Sequence, residues 1–129
     1  MPSKSLRQLL SATPDAVPRA RRMLCEFVRE ACPDSPEIAE PVALTVSEAV
    51  GNAVRHAYPE GTGPVEVAAE LDEPDLVVYV RDEGVGVGGT SRTPGLGLGM
   101  TIMRQLGRLR IDRRPEGGTQ VALRFRCHS

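Results

Sequence analysis

The period of the apolar residues changes once along this chain, and that change restricts the fold more than any other feature. Up to Tyr58 apolar positions recur at helical spacing; after Pro59-Glu60-Gly61 they recur at every second residue. Val17, Ala20, Leu24, Phe27 and Ala31 share one side of a helix predicted over 16–31, opened by Thr13-Pro14-Asp15. Cys32-Pro33-Asp34-Ser35-Pro36 ends it and leads into a second helix over about 37–58. Pro41 lies near the start of that helix, where proline is tolerated. Beyond the break, Val65, Val67, Ala69 and Leu71 alternate with Glu66, Ala68 and Glu70. After the turn Asp72-Glu73-Pro74-Asp75, Leu76, Val78 and Val80 form one face of another strand, and Asp82 continues that face. A glycine-rich loop from Gly84 to Gly99 precedes a short helix, Leu98 to Leu106, closed by Gly107. Two last strands flank Pro115-Glu116-Gly117-Gly118, with Leu109 and Ile111 inward on one, and Thr119, Val121, Leu123 and Phe125 inward on the other. Leu6 to Leu10 adds a short edge strand in front.

The order β-α-α-β-β-loop-α-β-β predicts a mixed, mostly antiparallel sheet, because tandem strands on tight turns pair antiparallel. About three helices cover one face, giving an α+β two-layer sandwich in a single domain, 1–129. With aromatics at 3% and no Trp, the core falls to Val, Leu, Ala, Ile and Met. A net charge of −1 provides no global field for nucleic acid or an anionic membrane. The chain lacks an apolar run of signal or membrane-spanning length, so a cytoplasmic location is expected. Its three cysteines are odd in number and lack CxxC spacing, which argues against a disulfide framework or zinc site.

Four features carry chemistry. On the second helix, Glu48, Asn52, Thr45 and His56 fall within an arc of about 80° at about 100° per residue, opposite a broad apolar arc. Asn competes with the helix backbone for hydrogen bonds, and Gly51 costs about 1 kcal/mol relative to Ala. A solvated stripe is the ordinary explanation; a close approach and a carbonyl-oxygen ligand is the functional one. Asp82 has core parity, so its carboxylate needs a partner or a polar ligand unless it only caps the turn. Gly95 to Met100, GLGLGM, opens a helix, where bare backbone N–H groups suit a phosphate. It matches neither the dinucleotide fingerprint nor a Walker A loop. Gly117-Gly118-Thr119 ends the set with an inward hydroxyl, and alone it reads as a plain turn.

Taken in order, SEAVGNAVRHAY, RDEGVGV, GLGLGMTIMRQL and GGT resemble the boxes of the Bergerat-fold (GHKL) ATPases. Within that superfamily the chain is most similar to the anti-sigma-factor serine/threonine kinases of bacterial partner switching, over nearly its whole length. The resemblance implies ATP and Mg2+ as cofactors. It implies that Asn52 and Glu48 lie at the magnesium, with Glu48 also the general base toward an attacking hydroxyl. Asp82 would bind the adenine amino group directly and through a water shared with Thr119. Gly84, Gly86, Gly95, Gly97 and Gly99 would form the lid and phosphate cradle, and Arg21 would contact protein partners. Those partners would be a sigma factor and an anti-anti-sigma antagonist, without direct nucleic-acid or membrane contact; a homodimer is compatible with the resemblance.

Two departures bear on activity. The segment 87–94 is short for the lid of this group, and Leu96 stands where many relatives carry Arg; Arg92 is the nearest replacement. His56 is expected in the pocket wall. The leading expectation is therefore an anti-sigma factor with serine/threonine kinase activity. An ATP-binding partner-switching module with little or no kinase activity is the alternative. A detached histidine-kinase domain is disfavoured, because no phospho-acceptor helix precedes the first box.

Overall fold

The computed structural model describes residues 4–84 and 97–127. Its elements are β1 (Ser5–Ser11), α1 (Ala16–Ala31), a 3₁₀ turn (Pro36–Ile38), α2 (Ala39–His56), β2 (Pro64–Asp72), β3 (Asp75–Asp82), α3 (Leu98–Gln105), β4 (Leu109–Arg113) and β5 (Thr119–Arg126). The order is the expected one. The second helix begins at Ala39, because Pro36 opens the tighter 3₁₀ turn ahead of it.

Strand order is β1-β2-β3-β5-β4, and every pairing among the described strands is antiparallel. The mixed character expected for the sheet is thus absent among these strands. The physical reason is connection length: β2–β3 and β4–β5 are tight hairpins, and β5 comes back along β3 in the opposite direction. The register pairs Val67 with Val80 and Ala69 with Val78, so the apolar residues of adjacent strands share one face. Val65, Val67, Ala69, Leu76, Val78, Val80, Leu123 and Phe125 are all buried there. Onto this face α1 sets Ala20, Leu24, Phe27 and Val28, and α2 sets Val42, Val46, Val50 and Ala53. Each large side chain taken out of water contributes roughly 1.5–3 kcal/mol. From α3 only Met100 is buried, and the helix ends in a Schellman turn at Gly107, φ 71°. The Gly107 N–H bonds the Arg104 carbonyl (3.0 Å) and the Arg108 N–H bonds that of Met103 (2.8 Å).

Ion pairs hold the side chains on the other face of the sheet. Glu66 sits between Arg7 and Arg81, each at 2.7 Å, and Arg81 also lies 4.6 Å over the Tyr79 ring. Asp75 is ringed by Arg108, Arg124 and Arg126. Burial pushes the Asp75 carboxyl up, but the guanidiniums outweigh it and hold the group below its ordinary range.

One expectation is corrected outright. Cys32 and Cys127 form a disulfide, with Cα atoms 5.9 Å apart, tying the end of α1 to the end of β5. Spacing rules address neighbours in sequence, whereas these two lie 95 residues apart. Cys25 is the free thiol. No helix among the described residues is long and apolar enough to cross a membrane.

Candidate functional site

The outward stripe of α2, the end of β3, the β4–β5 turn and the start of α3 converge. The first turn of a helix leaves backbone N–H groups without partners, and Gly97, the N-cap of α3, has no side chain to offer them. The cap comes from α2 instead: Glu48 Oε1 accepts from the Gly99 N–H at 3.2 Å and Oε2 from the Met100 N–H at 2.9 Å. A Cβ on Gly97 would lie 2.5 Å from Glu48 Cδ, and one on Gly99 would crowd both Glu48 and Leu44. These glycines are where the carboxylate enters.

One turn further along α2, Asn52 Oδ1 accepts from Arg55 Nη2 at 2.8 Å. A Cβ on Gly51 would stand 3.2 Å from Arg55 Nη1, so its absence leaves the guanidinium room. Thr45, which the helical wheel placed on the same stripe, is not part of it. Its hydroxyl is buried and bonds the carbonyls of Pro41 (2.9 Å) and Val42 (3.2 Å) within its own helix. His56 is exposed on the last turn of α2.

Asp82 closes β3. Its Oδ1 accepts from the Gly84 N–H (3.0 Å) and the Thr119 N–H (3.3 Å), leaving Oδ2 as an acceptor. Burial pushes its pKa up; the two N–H bonds and Arg114 oppose that without cancelling it. Gly118, at φ 98°, packs its bare Cα against the Asp82 carbonyl, and this close approach brings Thr119 to the carboxylate. Arg114 Nη1 donates to the same carbonyl at 3.0 Å. Gly84 is buried against the Ala57 carbonyl, so its missing side chain serves packing on α2. Tyr58 fastens the following residue: its hydroxyl bonds the Pro64 carbonyl and accepts the Glu83 N–H at 2.9 Å.

Glu48, Asn52, Asp82, Gly84, Gly97, Gly99 and Thr119 thus gather around the α2–β3–α3 junction, and Arg21 stands apart, exposed on α1. Gly86, Gly95, Arg92, Leu96 and the segment 87–94 lie outside the described residues. Arg55, Tyr58 and Arg114 were not singled out from the sequence. Only Arg55 carried a local signal, standing three residues after Asn52 on one helix face.

No group of three or more His, Cys, Asp or Glu among the described residues could hold a metal. Glu48 and Asn52 still suit Mg2+, which takes one or two protein oxygens and completes its shell with phosphate and water. A stand-in supports the Asn52 part of this fit, where a guanidinium rests on the side-chain oxygen; the Glu48 carboxylate on the α3 amides marks an anion position instead.

Residues 10–125 match the family described as histidine kinase-like ATPase domain. The chain belongs to this family. Similar proteins carry the name anti-sigma F factor. That of Clostridium acetobutylicum is 31% identical, with 81% of each chain covered. That of Bacillus subtilis is 32% identical over 81% of this chain and 80% of its own. The Shouchella clausii protein reaches 34% over 79% and 78% respectively. As a histidine kinase-like ATPase domain, the chain has an ATP-using fold, and the match runs from the end of β1 through nearly all of β5.

Proposed function

We propose that this chain is an anti-sigma factor that binds ATP with magnesium, sequesters a sigma factor and phosphorylates an antagonist protein on Ser or Thr. The observation that carries the reading is the combination of Asp82, half-buried at the end of the central strand, with the Glu48–Asn52 turn beside the α3 amides. Asp82 Oδ2 accepts the adenine amino group, and Thr119 borders the same pocket. Gly97 and Gly99 present backbone to the phosphates. Asn52 holds the metal through its side-chain oxygen, and Glu48 lies one turn away, where it takes the proton of the attacking hydroxyl. When bound, magnesium–ATP supplies the phosphoryl group and part of its charge neutralisation. Arg21, exposed on α1, contacts the partners through bidentate pairing with carboxylates.

A module without transfer activity is the second reading. It is favoured by Glu48 being tied to two backbone amides, and by Leu96 standing where the family resemblance leads one to expect Arg. Incubation with γ-labelled ATP, magnesium and purified candidate antagonists separates the two. Wild type should label a Ser or Thr, whereas Glu48→Ala should retain magnesium–ATP binding and lose labelling. Wild-type rates in Glu48→Ala would refute the base assignment. ATP binding and sigma capture without labelling of any antagonist would establish the module.

A further inference from the structure

The two groups assigned to magnesium and phosphate are each already engaged by a charge of the chain. Glu48 and Arg55 are seven positions apart on one helix, yet they do not pair with each other. The carboxylate reaches residues 51 and 52 positions along the chain, to the α3 amides, which by dipole and exposed N–H groups prefer an anion. The guanidinium turns back onto the Asn52 oxygen. Gly97 and Gly51 are both bare at the points where a side chain would crowd these contacts. A tertiary helix cap explains the first contact by itself, and an i,i+3 surface bond explains the second. Neither explains why they fall on the two poles of a single nucleotide site.

We propose that, without nucleotide, the site is closed on itself by its own charges: Glu48 fills the anion position at α3, and Arg55 fills the cation position at Asn52. Phosphate displaces the carboxylate, and the divalent cation displaces the guanidinium. Glu48 becomes free to take a proton from a hydroxyl only once nucleotide has claimed the amides. The base is thereby masked until its co-substrate is in place. This rests on the nucleotide reading above.

Calorimetry with ADP in EDTA tests the anion half. Glu48→Ala should bind ADP about tenfold more tightly than wild type, since no charged hydrogen bonds need breaking first. General charge removal would also tighten binding, so a direct readout accompanies it. In isotope-labelled wild type, ADP should move the Glu48 side-chain carboxyl resonance. Glu48→Gln alone should move the Gly99 and Met100 amide resonances. A Glu48 carboxyl resonance unmoved by bound ADP, or weaker ADP binding in a folded Glu48→Ala, would leave Glu48 as a structural cap and overturn the proposal. For the cation half, Arg55→Ala should lower severalfold the magnesium needed to enhance ATP binding. A higher requirement would mean that Arg55 assists the nucleotide, and would overturn that half. ADP failing to bind wild type at all would instead bring down the nucleotide reading beneath it.

Discussion

Asp82→Asn should act in opposite directions on binding and on stability. The backbone N–H groups of Gly84 and Thr119 both point at Oδ1, so the carboxamide of the variant must place its oxygen there. Its NH2 then takes the position of Oδ2, facing the adenine amino group with a donor where an acceptor is needed. The lost bond to a charged acceptor is worth about 1.5–3 kcal/mol, or roughly a tenfold to hundredfold fall in ATP affinity. A guanine carbonyl would meet that new donor favourably, so the preference for ATP over GTP should shrink or invert. Stability goes the other way. Burial raises the Asp82 pKa, so the protonated form is favoured by the fold. Its contribution is fully present below the ordinary Asp pKa of 3.8 and is lost as pH rises through the raised value. At pH 7 the ionised carboxylate is a burden that the variant removes, and the advantage should fade toward pH 4. Titration with ATP and GTP, alongside thermal melts of both proteins at pH 7 and pH 4, measures each effect. An unchanged ATP-to-GTP ratio would refute the adenine assignment. A variant less stable than wild type at pH 7 would refute the burial argument.

Arg21→Glu should abolish or sharply weaken capture of a sigma factor in size-exclusion chromatography, through lost pairing and added repulsion, and leave ATP titration unchanged; intact capture would place the docking surface elsewhere. Cys32→Ala should lower stability by about 2–4 kcal/mol, the usual contribution of a bridge closing a long loop. Reductant should reproduce that loss in wild type and do nothing further to the variant, as followed by thermal melts.

The order of elements and the inward parity of Asp82 were legible because both follow from periodicity, which the backbone imposes locally. The boxes were legible because their glycines and polar residues are contiguous in sequence. The helical wheel failed for Thr45, since an angle does not say what lies over it, and here its own helix carbonyls take the hydroxyl. Gly84, expected as a cradle residue, carries a further constraint the sequence did not show: the Ala57 carbonyl, a neighbour that exists only after α2 has packed beside β3. The Glu48 cap on α3 and the Cys32–Cys127 bridge share that character. Each joins residues that only the assembled sheet and helices bring together.

The placement of β3 gives the two ends of the proposed nucleotide site ground of unequal stiffness. Asp82 ends a strand hydrogen-bonded on both sides, to β2 and to β5, and opening it means opening the middle of the sheet. The α3 end rests on one buried side chain, Met100, and leaves Leu98, Ile102 and Leu106 in solvent. On the proposed nucleotide reading, recognition of the base is therefore tied to global unfolding, while the phosphate end opens in a smaller step. Slippage along β3 would move every inward residue together, so the adenine end resists gradual change. Substitutions on the outer side of α3 touch little else, which makes the proposed phosphate end the one that selection can retune residue by residue.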